Sequence, residues 1–419
     1  MTTVRPGPPL EQPVPARRSS LLEPFRYRDF RLLWSGLLVA NLGTWMQLTS
    51  LGYLVVALAG SARLASLDVG ILGASSAGPV LLLSPLAGVV ADRYPRRRVL
   101  FITNSIEVLL ALALGLLTTT HRIALWEIYI IGGLRSTGQA FDAPARQSWV
   151  PLLVPREKLG NAIGLNSLAF NAPSVIGPPI AGLLILSVGI ATSFYINAIL
   201  TLAVVVALVF MQPALPSSTK REGVFASIVA GLGFLARHRV LRSVLLMLVV
   251  VCLLVRPYAQ LLPAYAAHVV HVDARGLGLL LAASGCGAIA GSLLTAVVQE
   301  RRGVVWFASA ALMSLGTIVL GSIHVFAIAL AVLVVIGLAV LSFAGSSNVL
   351  LQSLSPGDMR GRSISVFSMI ILGGIPAGSL LLGSLATVVG LQASLILGGS
   401  LALAIALLIW CTNPELRRV

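Results

Sequence analysis

Three ionisable side chains stand out deep inside long apolar runs of this chain: Glu107, Arg135 and Arg256. Each costs roughly 2.5–3.5 kcal/mol at the centre of a membrane helix, so each needs a partner or a purpose. Glu107 falls nine residues beyond Arg98, which is about 13 Å deep at the helical rise. Arg135 enters its own run from the opposite end and reaches nearly the same depth. The chemistry on offer is an ion pair between neighbouring helices, or a carboxylate that takes up and releases a proton. Arginine cannot supply that proton because it does not shed its charge. That leaves Glu107 as the carboxylate nearest the middle, since Glu127 and Asp142 fall towards opposite ends of their run. No acidic residue lies within a run of the second half to neutralise Arg256, and Pro257 should bend the helix beside it. A fixed cation facing a water-filled cavity would favour anionic or electron-rich molecules. Asn41 and Gln47 on the first run, with Asn166 and Asn171 on the fifth, either line such a cavity or bond helix to helix.

The elements that carry these residues follow from composition. Hydrophobic residues make up 57% and charged residues 10% of the 419, against roughly 25% charged in soluble domains. A span needs roughly 20 apolar residues, and the chain divides into twelve runs, near 32–59, 69–91, 99–119, 123–144, 161–187, 190–211, 241–266, 276–298, 304–322, 325–349, 364–388 and 391–411. The expected fold is therefore an all-α integral membrane protein of twelve transmembrane helices. Cytoplasmic loops hold Lys and Arg. Of 29 such residues, 24 fall on one side of this arrangement, three on the other (Arg63, Arg122, Arg275) and two within spans. Both termini are expected on the cytoplasmic side. The net charge of +15 is spread over helix ends and forms no patch, so no nucleic-acid partner is indicated. Cys252, Cys286 and Cys411 have no metal-ligand or disulfide spacing, and the five histidines form no cluster.

The densest group of charges is the turn Gly88-Val-Val-Ala-Asp92-Arg93-Tyr-Pro95-Arg96-Arg97-Arg98. Gly88 allows close helix packing, and Asp92 stands where a carboxylate can meet the positive end of another helix. Arg96 or Arg97 is placed to pair with Asp142, whereas Arg98 needs no role beyond orienting the chain. The chain also repeats itself. Pro155-x-Glu157-x-x-Gly160-x-x-Ile163 recurs 201 residues later as Pro356-x-Asp358-x-x-Gly361-x-x-Ile364, and Gly177 and Gly182 match Gly378 and Gly383. A degenerate copy of the charged turn, Ala296-Val-Val-Gln-Glu300-Arg301, follows span eight. The organisation expected is a disordered tail over 1–29, a six-helix half over 30–211, a cytoplasmic linker over 212–238, a second half over 239–411 and a tail over 412–419. Parallel repeats around a midplane site are the architecture of alternating-access transporters.

The pattern GxxxDRxxRRxxL at 88–100 resembles the signature of the major facilitator superfamily, with Pro95 where Gly is usual. Gly177-Pro178-Pro179-Ile-Ala-Gly182 is similar to its antiporter motif, where Gly177, Pro178 and Gly182 shape the helix. Phe141-Asp142-Ala-Pro144-Ala-Arg146-Gln147 and Arg360-Gly361-Arg362 resemble the bacterial exporter branch that includes the enterobactin exporter and macrolide efflux pumps. This resemblance implies that Asp92 meets span eleven near Ser363, so that Gly88, Asp92, Arg93, Arg96, Arg97 and Asp142 form a latch between the halves. It implies that Arg135 matches a helix-four arginine active in coupling. The expected function is a proton-coupled exporter of drugs, siderophores or secondary metabolites, in the inner or plasma membrane of a bacterium. It would act as a monomer, driven by the proton gradient, with no cofactor, metal or catalytic residue. An importer or lipid flippase on the same fold is the alternative. A membrane-embedded enzyme is remote, because the spans carry no HExxH, GxSxG, P-loop or carboxylate pair.

Overall fold

The computed structural model describes residues 22–211, 232–298, 301–356 and 359–417, and among these the regular structure is entirely helical. The main helices are α1 (Arg28–Leu58), α2 (Ala62–Arg93), α3 (Arg96–Thr119), α4 (Leu125–Trp149), α5 (Leu159–Ser187), α6 (Ile190–Phe210), α7 (Arg239–Leu254), α8 (Tyr258–His268), α9 (Ala274–Val297), α10 (Arg302–Ser322), α11 (Phe326–Ser353), α12 (Arg360–Val389) and α13 (Leu391–Thr412). Among the described residues nine helical stretches, counting α7 and α8 as one, are long and apolar enough to cross a membrane. Helices are the forced solution there, because hydrocarbon offers no partner to an unsatisfied backbone amide.

Their ends obey ordinary local chemistry. Ser61 Oγ accepts from the Leu64 amide at 3.3 Å, and Asp273 Oδ1 from the Gly276 amide at 2.9 Å, so α2 and α9 start on side-chain caps. Glu127 Oε2 accepts from the Ala124 amide at 2.9 Å and is thereby a helix-end group of α4. Gly189 and Gly390 make the abrupt α5–α6 and α12–α13 turns at φ 104° and 88°, a region that favours glycine.

Four boundaries differ from the sequence expectation. α4 runs through Pro144 to Trp149, because a proline removes one amide only and the Asp142–Arg146 pair bridges the same turn. α2 starts at Ala62, which draws Asp68 into the helix. Span seven is broken outright between Leu254 and Tyr258. Pro257 has no N–H to offer the Leu253 carbonyl, and the Arg256 amide turns to the Val251 carbonyl at 2.9 Å. The tails are ordered close to the helices: residues 23–26 form a short helical turn held by a Glu23–Lys158 ion pair, and Leu416 is fully buried. The expected disordered tail, where it covers residues 1–21, and most of the linker, 212–231, lie outside the described residues.

Helices α1 to α6 pack chiefly on one another, and so do α7 to α13. The two groups meet along α2 against α12 and α5 against α9, with α8 touching α1 and α2. Glycine sets the closeness of these seams. A Cβ at Gly70 would lie 2.6 Å from the Ser379 carbonyl, one at Gly383 2.6 Å from the Ser66 carbonyl, and one at Gly278 2.6 Å from the Pro178 carbonyl. Towards the arginine-rich face, Cβ atoms at Gly78, Gly160, Gly164 and Gly361 would meet nothing within 4 Å. The close glycine-to-backbone contacts between the two groups at Gly70, Gly278 and Gly383 therefore lie towards the arginine-poor face.

Within the second group, Gly287 of α9 faces the Val334 carbonyl of α11 so closely that no Cβ fits. Gly287→Val should force these helices apart and cost at least the roughly 1–3 kcal/mol of an overpacked core. It should lower the melting temperature of the detergent-solubilised protein, while Gly160→Ala leaves it unchanged.

Candidate functional site

The buried ionisable residues converge in the first group of helices. Arg135 Nε of α4 donates to Glu107 Oε1 of α3 at 2.7 Å, with the two side chains 12% and 18% exposed. One to two turns nearer the arginine-rich face, Asp142 holds Arg146 at 3.2 Å and accepts from Asn104 Nδ2 at 2.9 Å and Thr103 Oγ1 at 3.4 Å. The Arg146 guanidinium also lies 4.4 Å from the centre of the Phe170 ring on α5. Both ion pairs face one cavity of about 90 Å³, lined also by Asn41 and Thr44 of α1, Gln139 of α4 and Thr201 of α6. Two carboxylates and two guanidiniums make it neutral, which is how buried charge is tolerated. Its size admits several waters and falls well short of the ~300–1,000 Å³ of a pocket for a drug-sized molecule.

This geometry rearranges the expected assignments. Asp142 does not pair with Arg97, which donates from Nη2 to the Val209 carbonyl of α6 at 2.7 Å. Asp142 pairs here with Arg146, the i,i+4 arginine on its own helix, and lines the same cavity as Glu107 and Arg135. Asn41 lines the cavity and donates to the Ala169 carbonyl of α5 at 3.2 Å. Gln47 is fully buried and accepts from Asn197 Nδ2 of α6 at 2.5 Å, fastening α1 to α6. Arg96 is buried and engaged, and Ser363, the expected meeting point of the latch, shares a hydrogen bond with Ser355 at 2.8 Å. The side chains of Asp92 and Arg93, and the surroundings of Gly88, lie outside what is described.

Arg256 sits half-buried in the break between α7 and α8, beside Cys252 and Tyr258, and makes no ion pair among the described residues. Gly177, Pro178 and Gly182 do shape packing. A Cβ at Gly177 would stand 2.8 Å from Trp45 Cβ on α1, Gly182 abuts the Ala274 carbonyl of α9, and the Pro178 carbonyl receives Gly278. Sequence reasoning missed Asp68, which accepts from Tyr129 Oη at 3.0 Å, because it fell one residue outside the expected span. It also missed Asn104, whose position three residues before Glu107 would have placed it on the same helix face.

Long apolar helices in two packed groups, with a neutral polar chamber inside one of them, define a multi-pass membrane transport protein. The family profile described as transmembrane secretion effector (MFS_3) matches residues 19–418, and the chain belongs to that family of major facilitator transporters, which are not enzymes. It is 27% identical over 396 residues to the multidrug efflux pump Tap of Mycobacterium tuberculosis, covering 92% of this chain and 91% of that one. It is 26% identical over 337 residues to the enterobactin exporter EntS of Citrobacter koseri, covering 80% of each. Among solved structures, a bacterial homologue of the lysosomal transporter Spinster, inward-facing and unoccupied, shares the fold at TM-score 0.71 and 15% identity, over 93% of this chain and 98% of that one.

Removing one partner of the buried pair should cost about 3–5 kcal/mol, since the other charge is stranded. Glu107→Gln and Arg135→Gln should each lower the melting temperature, and the double variant Glu107→Gln/Arg135→Gln should recover most of the loss.

Proposed function

We propose that this protein is a proton-coupled exporter of small amphiphilic molecules, such as drugs, siderophores or secondary metabolites, working by alternating access. The observation that carries the coupling is the Glu107–Arg135 pair in a chamber with room for water but not for cargo. A proton arriving at Glu107 cancels its charge and releases Arg135, which must then find another acceptor in the chamber. Cargo would bind elsewhere, between the two groups of helices. Arg256, standing in a helix break with a fixed charge, is the group that would favour anionic or electron-rich cargo.

This reading takes α1, α2 and α4 as spans as well. At 31, 32 and 25 residues they exceed the roughly 20 needed, giving twelve spans in two six-helix halves joined at 212–238. The 24-to-3 bias of Lys and Arg puts the arginine-rich face and both termini in the cytoplasm. On this reading the space between the two groups opens towards the cytoplasm. The latch of Gly88, Asp92, Arg93, Arg96, Arg97 and Asp142 would act when that side closes. A monomer in a bacterial plasma membrane suffices, since each half supplies the other's seam. Relatives that move multiple drugs or enterobactin support export over import or lipid flipping.

The test is transport into everted membrane vesicles with a proton gradient, using a fluorescent amphiphilic dye and enterobactin. Antiport predicts that substrate raises the luminal pH. Glu107→Gln should abolish that rise and gradient-driven uptake, yet keep substrate-for-substrate exchange. Gradient-driven transport at the wild-type rate in Glu107→Gln would remove Glu107 from coupling, and luminal acidification by substrate would mean symport.

A further inference from the structure

Three consecutive arginines open α3, and they differ in what they already hold. Arg96 is 4% exposed and engaged. Arg97 is spent on the Val209 carbonyl. Arg98 is exposed and makes no ion pair among the described residues. It stands at the head of a groove of about 620 Å³ between the end of α2, α3 and α4. Below Arg98 the walls are apolar, with Ile102, Ile106 and Leu110 at helical spacing on α3 and Leu134 and Phe141 on α4. Ile102, Ile106 and Leu134 are 57%, 40% and 51% exposed, so the described chain leaves about half of each uncovered.

The dimensions and charge indicate the occupant. Arg98 to Leu110 is twelve residues, about 18 Å along the helix, close to one leaflet's half of a ~30 Å hydrocarbon core. Tyr94, 56% exposed, lies at the same end as Arg98, where an amphipathic ring suits the membrane boundary. A cation at the headgroup level above an apolar channel one leaflet long is met by an acidic phospholipid. A neutral lipid leaves the charge unanswered, and a free phosphate leaves the channel empty.

The groove also has a thin floor. Thr103 and Gly138 line both this groove and the chamber of Glu107 and Arg135, and a Cβ at Gly138 would have only the Thr103 carbonyl near it, at 3.8 Å. We propose that the α2–α3–α4 groove is a binding site for an anionic phospholipid, with its phosphate on Arg98 and an acyl chain over the Thr103–Gly138 wall. The lipid shields the polar chamber from its membrane side. This inference does not rest on the direction or coupling of transport.

The experiment is native mass spectrometry of the full-length protein released from nanodiscs of phosphatidylcholine with phosphatidylglycerol, with inorganic phosphate as a separate arm. Wild type should retain phosphatidylglycerol about fivefold over phosphatidylcholine and show no phosphate adduct. Arg98→Gln should erase that preference and Arg98→Lys keep most of it. Ile106→Trp, which fills the groove from its exposed side without altering charge, should lower retention of both lipids. Equal retention of the two lipids by wild type, an unchanged preference in Arg98→Gln, or displacement of the lipid by inorganic phosphate overturns the site. Unchanged retention in Ile106→Trp overturns the acyl-chain placement.

Discussion

Helices gain nothing hydrophobic by touching in a bilayer, because lipid tails are as apolar as their side chains. What holds this structure together is close van der Waals contact, and its sharpest expression is glycine meeting backbone. The contacts come in related pairs. Gly177 of α5 packs on α1, and Gly378, 201 residues later on α12, packs on α7; Gly182 meets α9, and Gly383 meets α2. The internal repeat in the chain is thus a repeat of contacts. One copy faces its own group of helices while the next turn faces the other group. Any side chain at these positions would separate backbones that now lie at contact distance.

The polar chamber depends on those seams without belonging to them. It is lined by α1, α3 and α4 with single side chains from α5 and α6, all of the first group. Its link to the seam is short. Beside Arg135, Ser136 Oγ donates to the Ser76 carbonyl of α2, and Tyr129 Oη donates to Asp68 of α2. Two turns from Ser76, α2 enters the seam at Gly70 against Ser379. A change in the Glu107–Arg135 pair that shifts α4 is therefore handed by direct contacts to a helix that closes one face of the molecule.

Much of this was legible because a membrane penalises charge so heavily. The arginine-bearing turns mark the helix ends, and depth arithmetic put Glu107 and Arg135 at one level, where they meet at 2.7 Å. Pro257 announced a disturbance in span seven, which is a complete break. Direction around each helix was not legible. These helices are apolar on every side, so nothing in the sequence said that Gln47 points at Asn197, or that Asp142 turns to Arg146 in preference to the arginines of the neighbouring turn. Arg98 was opaque for the same reason: its charge explained orientation, and only the groove beneath it showed a surface left uncovered.

The two faces of the molecule close by different physics, and the difference suits their chemistry. At the arginine-poor face, closure is made of Gly70, Gly182, Gly278 and Gly383 against carbonyl-bearing backbone. No charge is desolvated when such a seam forms, so it can be tight and yet separate without exposing an unpaired ion. The arginine-rich face carries its cations at the water boundary, where exposed pairs are worth only about 0–1 kcal/mol. Contacts that weak can be exchanged readily among water, protein and lipid headgroup, and Arg98 is the member left to the lipid. The chamber instead holds the buried pairs Glu107–Arg135 and Asp142–Arg146. Breaking a pair there costs several kcal/mol, which is the physical weight behind the coupling proposed for Glu107.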